Sequence, residues 1–470
     1  MDMSGARNVS GRRPDHWIGI EADYRSREGH PSQYLYSLSR RDLATHALLL
    51  GKTGSGKTVC LTHFVAGAIL RTESFVLVDA RGDQVNDVLT LLAGRVEPER
   101  VKIIDLRDSS PHMGFDPLRG SSVPHKRALN VLETIRAMSD GWGVQLDETL
   151  RNILIALAET DEPLTEVERM LYDASYRRII LRGNLSESVR AFLERFDAMR
   201  EDRQASLAMP VMNKISSLFA TRKLRAILRD QNPINLQAHL ECPGNIVLVS
   251  LAIDETAAVG RAFGSMFLGC LTQTMFSRVD EPEHRRNPVL LFLDEFSHFA
   301  GEDIDVILAE GRRFGFSAVL AHQTLSQVPP SLRSMVLGNV GAKLIFRLGR
   351  DDAETMSADL TGDRKAIDFT KLRVGTCVAA KADGSLAGVE INTRIGNGGA
   401  LEADALDFRD QVHEEHPNFE SPEQVLRALS QSLEASQKVQ VHEEGAKERG
   451  RQKAASRSGT QEGISLEEWL

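Results

Sequence analysis

Seven short, almost continuously apolar runs punctuate the chain, at His46–Leu50, Phe75–Asp79, Val101–Asp105, Asn245–Leu251, Val289–Asp294, Ser317–Ala321 and Ala342–Arg347. Runs this short, without polar alternation, predict parallel strands covered on both faces. Most of the intervening segments repeat apolar residues at three- and four-residue spacing, which predicts helices. Strands alternating with helices imply βαβ crossovers and an α/β fold with a mostly parallel central sheet. The alternation stops between about Pro124 and Cys242. There Leu150–Ala158, Leu164–Tyr172, Glu187–Arg200 and Pro210–Arg229 all carry the helical period. An all-α subdomain (124–242) is therefore expected inside a sheet domain formed by 44–123 and 243–410. Gly375–Ala380 and Leu386–Ile391 flank Asp383-Gly384, a hairpin signal that predicts an antiparallel edge.

Outside this frame, residues 1–43 form an N-terminal extension, and 411–438 a C-terminal helical segment with its helix at Pro422–Lys438. From Val439 to Gly463 the chain is rich in Glu, Lys, Gln, Ser, Gly and Arg, a composition that disfavours a packed core. Within the tail (439–470), Ile464–Leu470 regains apolar character. It reads either as a peptide that docks on a protein partner or as a frayed end.

Composition mainly excludes. The net charge of −9 argues against a protein held to nucleic acid by its whole-surface field, and leaves room for a local basic surface. The 4 cysteines form no CxxC pair, so a disulfide framework is not expected. Met1–Pro14 is polar and basic and has no apolar core of a signal peptide. The most apolar long stretch, Ala257–Val279, contains Arg261, Gln273 and Arg278. A bilayer span needs about 20 predominantly apolar residues, so this segment predicts a buried helix and a cytoplasmic chain with no membrane anchor of its own. The histidines of His413-Glu414-Glu415-His416 stand one residue too close for a zinc-binding H-E-x-x-H.

The chemistry is concentrated at strand ends. Gly51-Lys52-Thr53-Gly54-Ser55-Gly56-Lys57-Thr58 fits G-x-x-x-x-G-K-[ST] between a strand and a helix. Its glycines let backbone N–H groups wrap the phosphates of ATP, and the helix N-terminus adds partial positive charge. Lys57 would reach the β- and γ-phosphates, and the Thr58 hydroxyl would hold Mg2+. Val289–Asp294 runs into Glu295, placing two acids at a strand's carboxyl end, where open α/β sheets bind ligands. Asp294 would bind Mg2+ through water, and Glu295 would polarise the attacking water. Gln323, closing the run Ser317–Ala321 after His322, would sense the γ-phosphate; alone it reads equally as a loop amide, and His322 reads as structural. Glu310-Gly311-Arg312-Arg313-Phe314-Gly315 places two arginines between the acids and Gln323. Either could stabilise a neighbouring subunit's transferring phosphoryl group, or simply sit at a helix end.

With these elements in this order, the chain resembles the HerA–FtsK branch of P-loop motors, and within it the TraD/TraG-type conjugative coupling ATPases. The resemblance runs from about Ala44 to Ile395. It includes Asp79-Ala80-Arg81-Gly82-Asp83, Gly114-Phe115-Asp116-Pro117-Leu118 and Pro210-Val211-Met212-Asn213-Lys214. Leu293–Phe296, Gly311–Gly315, Ala321–Gln327, Asn339–Gly341 and Phe346–Gly349 complete it. It implies a RecA-like core, a hexameric ring and ATP-driven movement of DNA. Lys57, Thr58, Asp294, Glu295 and Gln323 become the nucleotide site, and Arg312 rather than Arg313 the arginine acting across subunits. Transmembrane helices of membrane-bound coupling proteins and the N-terminal β-barrel of HerA are not evident, so an anchorless member is expected, recruited to a membrane complex by a partner.

Val211–Arg229 holds Lys214, Arg222, Lys223, Arg225 and Arg229 and no acid. As one amphipathic helix it would present a basic face to DNA phosphates, or a merely solvated one. Two other uses of the same motor remain open: a secretion-type ATPase whose cargo is protein, bound through the helical insertion or the tail, and an ATP-dependent assembly scaffold for an effector enzyme.

Overall fold

A computed structural model describes residues 16–22, 35–107, 113–120, 122–139, 141–219, 221–299, 301–391 and 402–416. All lie within one compact unit, Met1–Phe419. Its strands are β1 (His16–Ala22), β2 (Leu35–Leu38), β3 (Ala47–Leu50), β4 (Ser74–Asp79), β5 (Val101–Asp105), β6 (Ile246–Ser250), β7 (Val289–Asp294), β8 (Phe316–His322), β9 (Ala342–Ile345), β10 (Thr376–Ala380) and β11 (Leu386–Ile391). They form one sheet in the order β2-β1-β11-β10-β9-β3-β8-β7-β4-β6-β5. From β9 to β5 every pairing is parallel, and from β10 to β2 every pairing is antiparallel. All seven expected parallel strands and the expected hairpin are present.

The parallel strands are apolar throughout because helices cover both faces. Strand side chains alternate between faces. Leu48, Leu50, Val76 and Val78 pack into one core with the insertion helices and the buried helix Ala258–Phe276. Ala47, Leu49, Phe75 and Leu77 pack into the other, with the helices Lys57–Leu70, Asp83–Leu92 and Glu402–Glu414. No helix among the described residues is long and apolar enough to cross a membrane.

The N-terminal extension is not merely an extension: β1 pairs with β11, and β2 with β1, so it completes the antiparallel edge. Glu402–Glu414 forms a helix that crosses the expected boundary at 410/411, and Arg409 ties it to Asp105 of β5 at 3.0 Å. The helix expected at Pro422–Lys438, the polar tract and the terminal apolar peptide lie outside the described residues.

Between β5 and β6 every described element is helical. The expected single helix over 210–229 is two. Glu201–Ile215 ends in a 3-10 turn at Ser216–Phe219, and Arg222–Arg229 restarts with Thr221 accepting the Leu224 N–H at 3.2 Å. Pro210 lies inside the first of the two rather than at a start.

Gly114–Leu118 joins this insertion to the sheet. The Phe115 N–H donates to the Ile227 carbonyl, and the Ile234 N–H to the Gly114 carbonyl, at 3.1 and 2.8 Å. The buried Asp116 carboxylate accepts the N–H groups of Leu118 and Leu164, each at 2.9 Å. Burial outweighs those bonds and pushes the Asp116 carboxyl up to about 7. A carboxyl with a raised folded-state pKa holds a proton that the unfolded chain has already lost, so stability falls as pH rises between the two values. Unfolding free energy is therefore expected to drop by roughly 1.4 kcal/mol per pH unit from this group between about pH 4 and pH 7, then to level off. Asp116→Asn should flatten that slope in urea titrations across the window, and an unchanged slope would locate the pH dependence elsewhere.

Candidate active site

The P-loop and both acids meet at the carboxyl ends of β3, β7 and β8, around a cavity of about 430 Å³, a size suited to a small-molecule ligand. The loop's path needs glycine: Gly54 and Gly56 have φ of 71° and 108°, conformations that side chains other than glycine strongly resist. The loop is fixed on three sides. The Gly51 N–H donates to His322 of β8, the Lys52 N–H to Arg347 beyond β9, and the Gly375 N–H back to Ser55. Thr53 donates to Gln323 at 2.8 Å, bringing that expected sensor against the loop. Lys57 is buried at the start of the helix Lys57–Leu70, and Thr58 beside it is exposed.

Strand register explains the acids. β7 lies between β4 and β8, with Asp294 opposite Asp79 and opposite Ala321. Glu295 follows with φ of 49°, a left-handed conformation costing about 1 kcal/mol or more for a non-glycine residue. That turn aims its carboxylate inward: Oε1 lies 2.8 Å from Lys57 Nζ and Oε2 lies 2.8 Å from His322 Nδ1. Asp294 Oδ1 stands 3.4 Å from the same ammonium. The other His322 ring nitrogen lies 3.3 Å from the Ser297 hydroxyl. His322, which the sequence alone suggests is structural, thus touches Glu295 directly.

The electrostatics separate the acids. Burial pushes Glu295 up, but the close His322 imidazole and the Lys57 ammonium, hydrogen-bonded to it, prevail and hold it at about 2. Burial dominates at Asp294 and pushes it up to about 6, helped by Asp79 and Glu295 and opposed by Lys57. Asp79 is also raised by burial, against the backbone N–H groups of Arg81, Gln84 and Val85 that it accepts at the head of the next helix. Around the cavity Asp79, Asp83, Asp294 and Glu295 face Lys52, Lys57 and Arg81, which leaves an excess of negative charge. With the Thr58 hydroxyl nearby, that donor set fits a hard divalent cation such as Mg2+, and the loop fits a polyphosphate.

Arg312 lies elsewhere. It occupies the turn Gly311–Phe314 at the start of β8, exposed, while His322 at that strand's end touches the site. The 7 residues of β8 separate these ends by roughly 20 Å. Arg313 is exposed beside it, its guanidinium carbon 5.7 Å from the Phe314 ring centre.

The expected basic face is not one face. Lys214 is half-buried on the first of the two insertion helices, whereas Arg222, Lys223, Arg225 and Arg229 belong to the second. Lys223 is a correction, because it is buried. Arg225 donates to the Phe219 carbonyl at 3.2 Å, and Arg229 approaches Glu166 at 4.0 Å. Among the described residues no group of three or more His, Cys, Asp and Glu side chains is placed to hold a metal ion.

Residues 148–382, half of the chain, match a family profile described as the type IV secretion-system coupling protein DNA-binding domain. The chain is 20% identical to the type 4 coupling protein DotL of Legionella pneumophila, over 82% of this chain and 57% of that protein. It therefore spans little more than half the length of that relative. Among solved structures it is similar to the unbound bacterial conjugative coupling protein TrwBdeltaN70, with a TM-score of 0.57 and 16% identity, covering 83% of this chain and 95% of that one. It is also similar to the plasmid coupling protein TrwB in complex with ADP and Mg2+, with a TM-score of 0.55 and 17% identity, covering 76% and 87% of the two chains. These likenesses show that the fold is that of a RecA-like P-loop protein.

Proposed function

The chain belongs to the family of type IV secretion-system coupling proteins whose DNA-binding domain it matches, and on that premise we propose that it is an ATP-hydrolysing ring motor that moves DNA. One observation carries this reading. Lys57 of the P-loop and Glu295 of β7 converge at 2.8 Å on one end of the sheet, while exposed Arg312 stands at the opposite end of β8. A site with its own base and Arg81 on its wall, on a chain that displays Arg312 at the far end of β8, suits copies arranged head to tail.

Lys57 would hold the β- and γ-phosphates, the loop N–H groups would cradle them, and Thr58 with Asp294 would hold Mg2+. The metal ion, when bound, neutralises charge developing on the phosphate oxygens. Phosphates draw the Lys57 ammonium away from Glu295, and the carboxylate regains basicity just where water must be polarised. His322 keeps that carboxylate oriented. Gln323, tied to Thr53, reports the γ-phosphate to the loop, and Arg312 enters the neighbour's site. Removal of such an arginine costs on the order of 10³-fold in turnover. Arg312→Ala subunits doped into wild-type protein should therefore lower ATPase activity more steeply than their fraction in the mixture. A linear decline would count against shared sites. Residues 44–123 and 243–410 serve as the motor core in this scheme, 124–242 as the cargo-facing insertion, and a partner recruits the cytoplasmic ring, a hexamer, to a membrane complex.

A second reading, a motor whose cargo is protein, is favoured by one specific observation. The cations expected to meet DNA are divided between two helices, with Lys223 buried, on a chain of net charge −9. ATPase activity indifferent to DNA, together with capture of a partner by the insertion, would favour it.

A further inference from the structure

We propose that Phe276 and Val279 form an apolar dock beside Arg312 on which a second copy of this chain seats the rim of its nucleotide pocket, at Val374. The inference rests on the reading that Arg312 completes a neighbour's site. The helix Ala258–Phe276 runs into the turn Ser277–Asp280, and this corner brings two large apolar side chains to the surface, Phe276 at 39% and Val279 at 59% exposure. Arg278 between them is buried, and it donates to the carbonyls of Phe314 and Asn287 at 3.0 and 2.8 Å. The corner is thereby pinned to the turn that carries Arg312 and Arg313. The Phe276 ring also meets the Phe314 ring edge-on, with centroids 5.3 Å apart.

Aromatic and aliphatic surface next to guanidinium groups is the composition of a protein interface centre rather than of a solvated face. Charge identifies the occupant. The nucleotide pocket is lined by Asp79, Asp83, Asp294 and Glu295 against Lys52, Lys57 and Arg81, an acidic balance, whereas the surface at the start of β8 displays Arg312 and Arg313. No single copy can bring the two together, because β8 separates them. The pocket rim in turn displays Val374, at 62% exposure, beside Gly375 and Ile391. When Arg312 enters a neighbour's pocket, its apolar flank must land on that rim. Two different surfaces then meet head to tail, the contact type that closes into rings.

The test uses the full chain. Val279→Asp changes an exposed residue, so folding should survive, and Phe276→Asp serves as a second variant. Mass by light scattering with Mg2+ and ATP, binding of a fluorescent ATP analogue and ATPase rate are measured together. Val279→Asp is expected to bind the analogue like wild type, to remain unassembled where wild type assembles, and to hydrolyse at least 10-fold more slowly, because its arginine reaches no neighbour. Adding Val374→Lys in the same chain should restore assembly by pairing across the contact. Assembly and hydrolysis by both aspartate variants at wild-type levels would overturn the dock. Failure of the wild-type chain to bind the analogue would instead bring down the functional reading on which the dock rests.

Discussion

Lys57→Ala is expected to lower ATP hydrolysis on the order of 10³-fold, the scale of removing a preorganised charge from a phosphoryl-transfer site, and to weaken nucleotide binding as well. The same substitution should also destabilise the protein without nucleotide. Lys57 is the ammonium between Glu295 at 2.8 Å and Asp294 at 3.4 Å, and its side chain is only 7% exposed. Removing one partner of a buried pair strands the other charge and costs about 3 kcal/mol. Asp294 limits the damage, because its carboxyl, already pushed up to about 6, takes up a proton more readily once the cation is gone. A raised folded-state pKa makes stability fall as pH rises, so the deficit of Lys57→Ala should be smaller at pH 5, where only the Glu295 charge is stranded, than at pH 8, where both are. Urea unfolding at the two values checks this, and an equal deficit at both would show that Asp294 does not absorb the lost charge.

Glu295→Gln is expected to separate chemistry from binding. The amide keeps the shape and leaves Lys57 paired with Asp294, so nucleotide affinity should change little and folding stability less than in Lys57→Ala. Hydrolysis should fall by about 100- to 1000-fold, the range for loss of a general base. Equal losses of binding and turnover would mean that Glu295 serves the P-loop fold rather than the water.

The site was legible in the sequence where chemistry is local. A P-loop declares itself by eight consecutive residues, and Asp294 and Glu295 by an apolar run ending in acid. His322 could not be read this way. It faces Glu295 because β7 and β8 run parallel with Asp294 opposite Ala321, and Glu295 leaves the end of β7 in a left-handed turn that swings its carboxylate to His322, the last residue of β8. That register is a tertiary fact with no trace in either segment alone.

The fold follows the same division. Parallel strands buried on both faces read as apolar runs, whereas β1 is interrupted by Gly19 and pairs with β2 through a register shift between Trp17 and Gly19. Those edge strands are held by the sheet they join rather than by their own pattern. The basic run at 211–229 misled for the opposite reason. Its apolar spacing suits one helix, but Ser216–Phe219 breaks it, and the restart turns Lys223 inward.

The central claim is that this site hydrolyses ATP to drive DNA. It is tested most directly by the steady-state ATPase rate of the full chain with Mg2+, with and without double- and single-stranded DNA, against Glu295→Gln as the blank. The predicted result is Mg2+-dependent hydrolysis above that blank, raised several-fold by DNA and falling with salt as phosphate contacts are screened. A wild-type rate no higher than the blank, or one that no DNA changes, would contradict it.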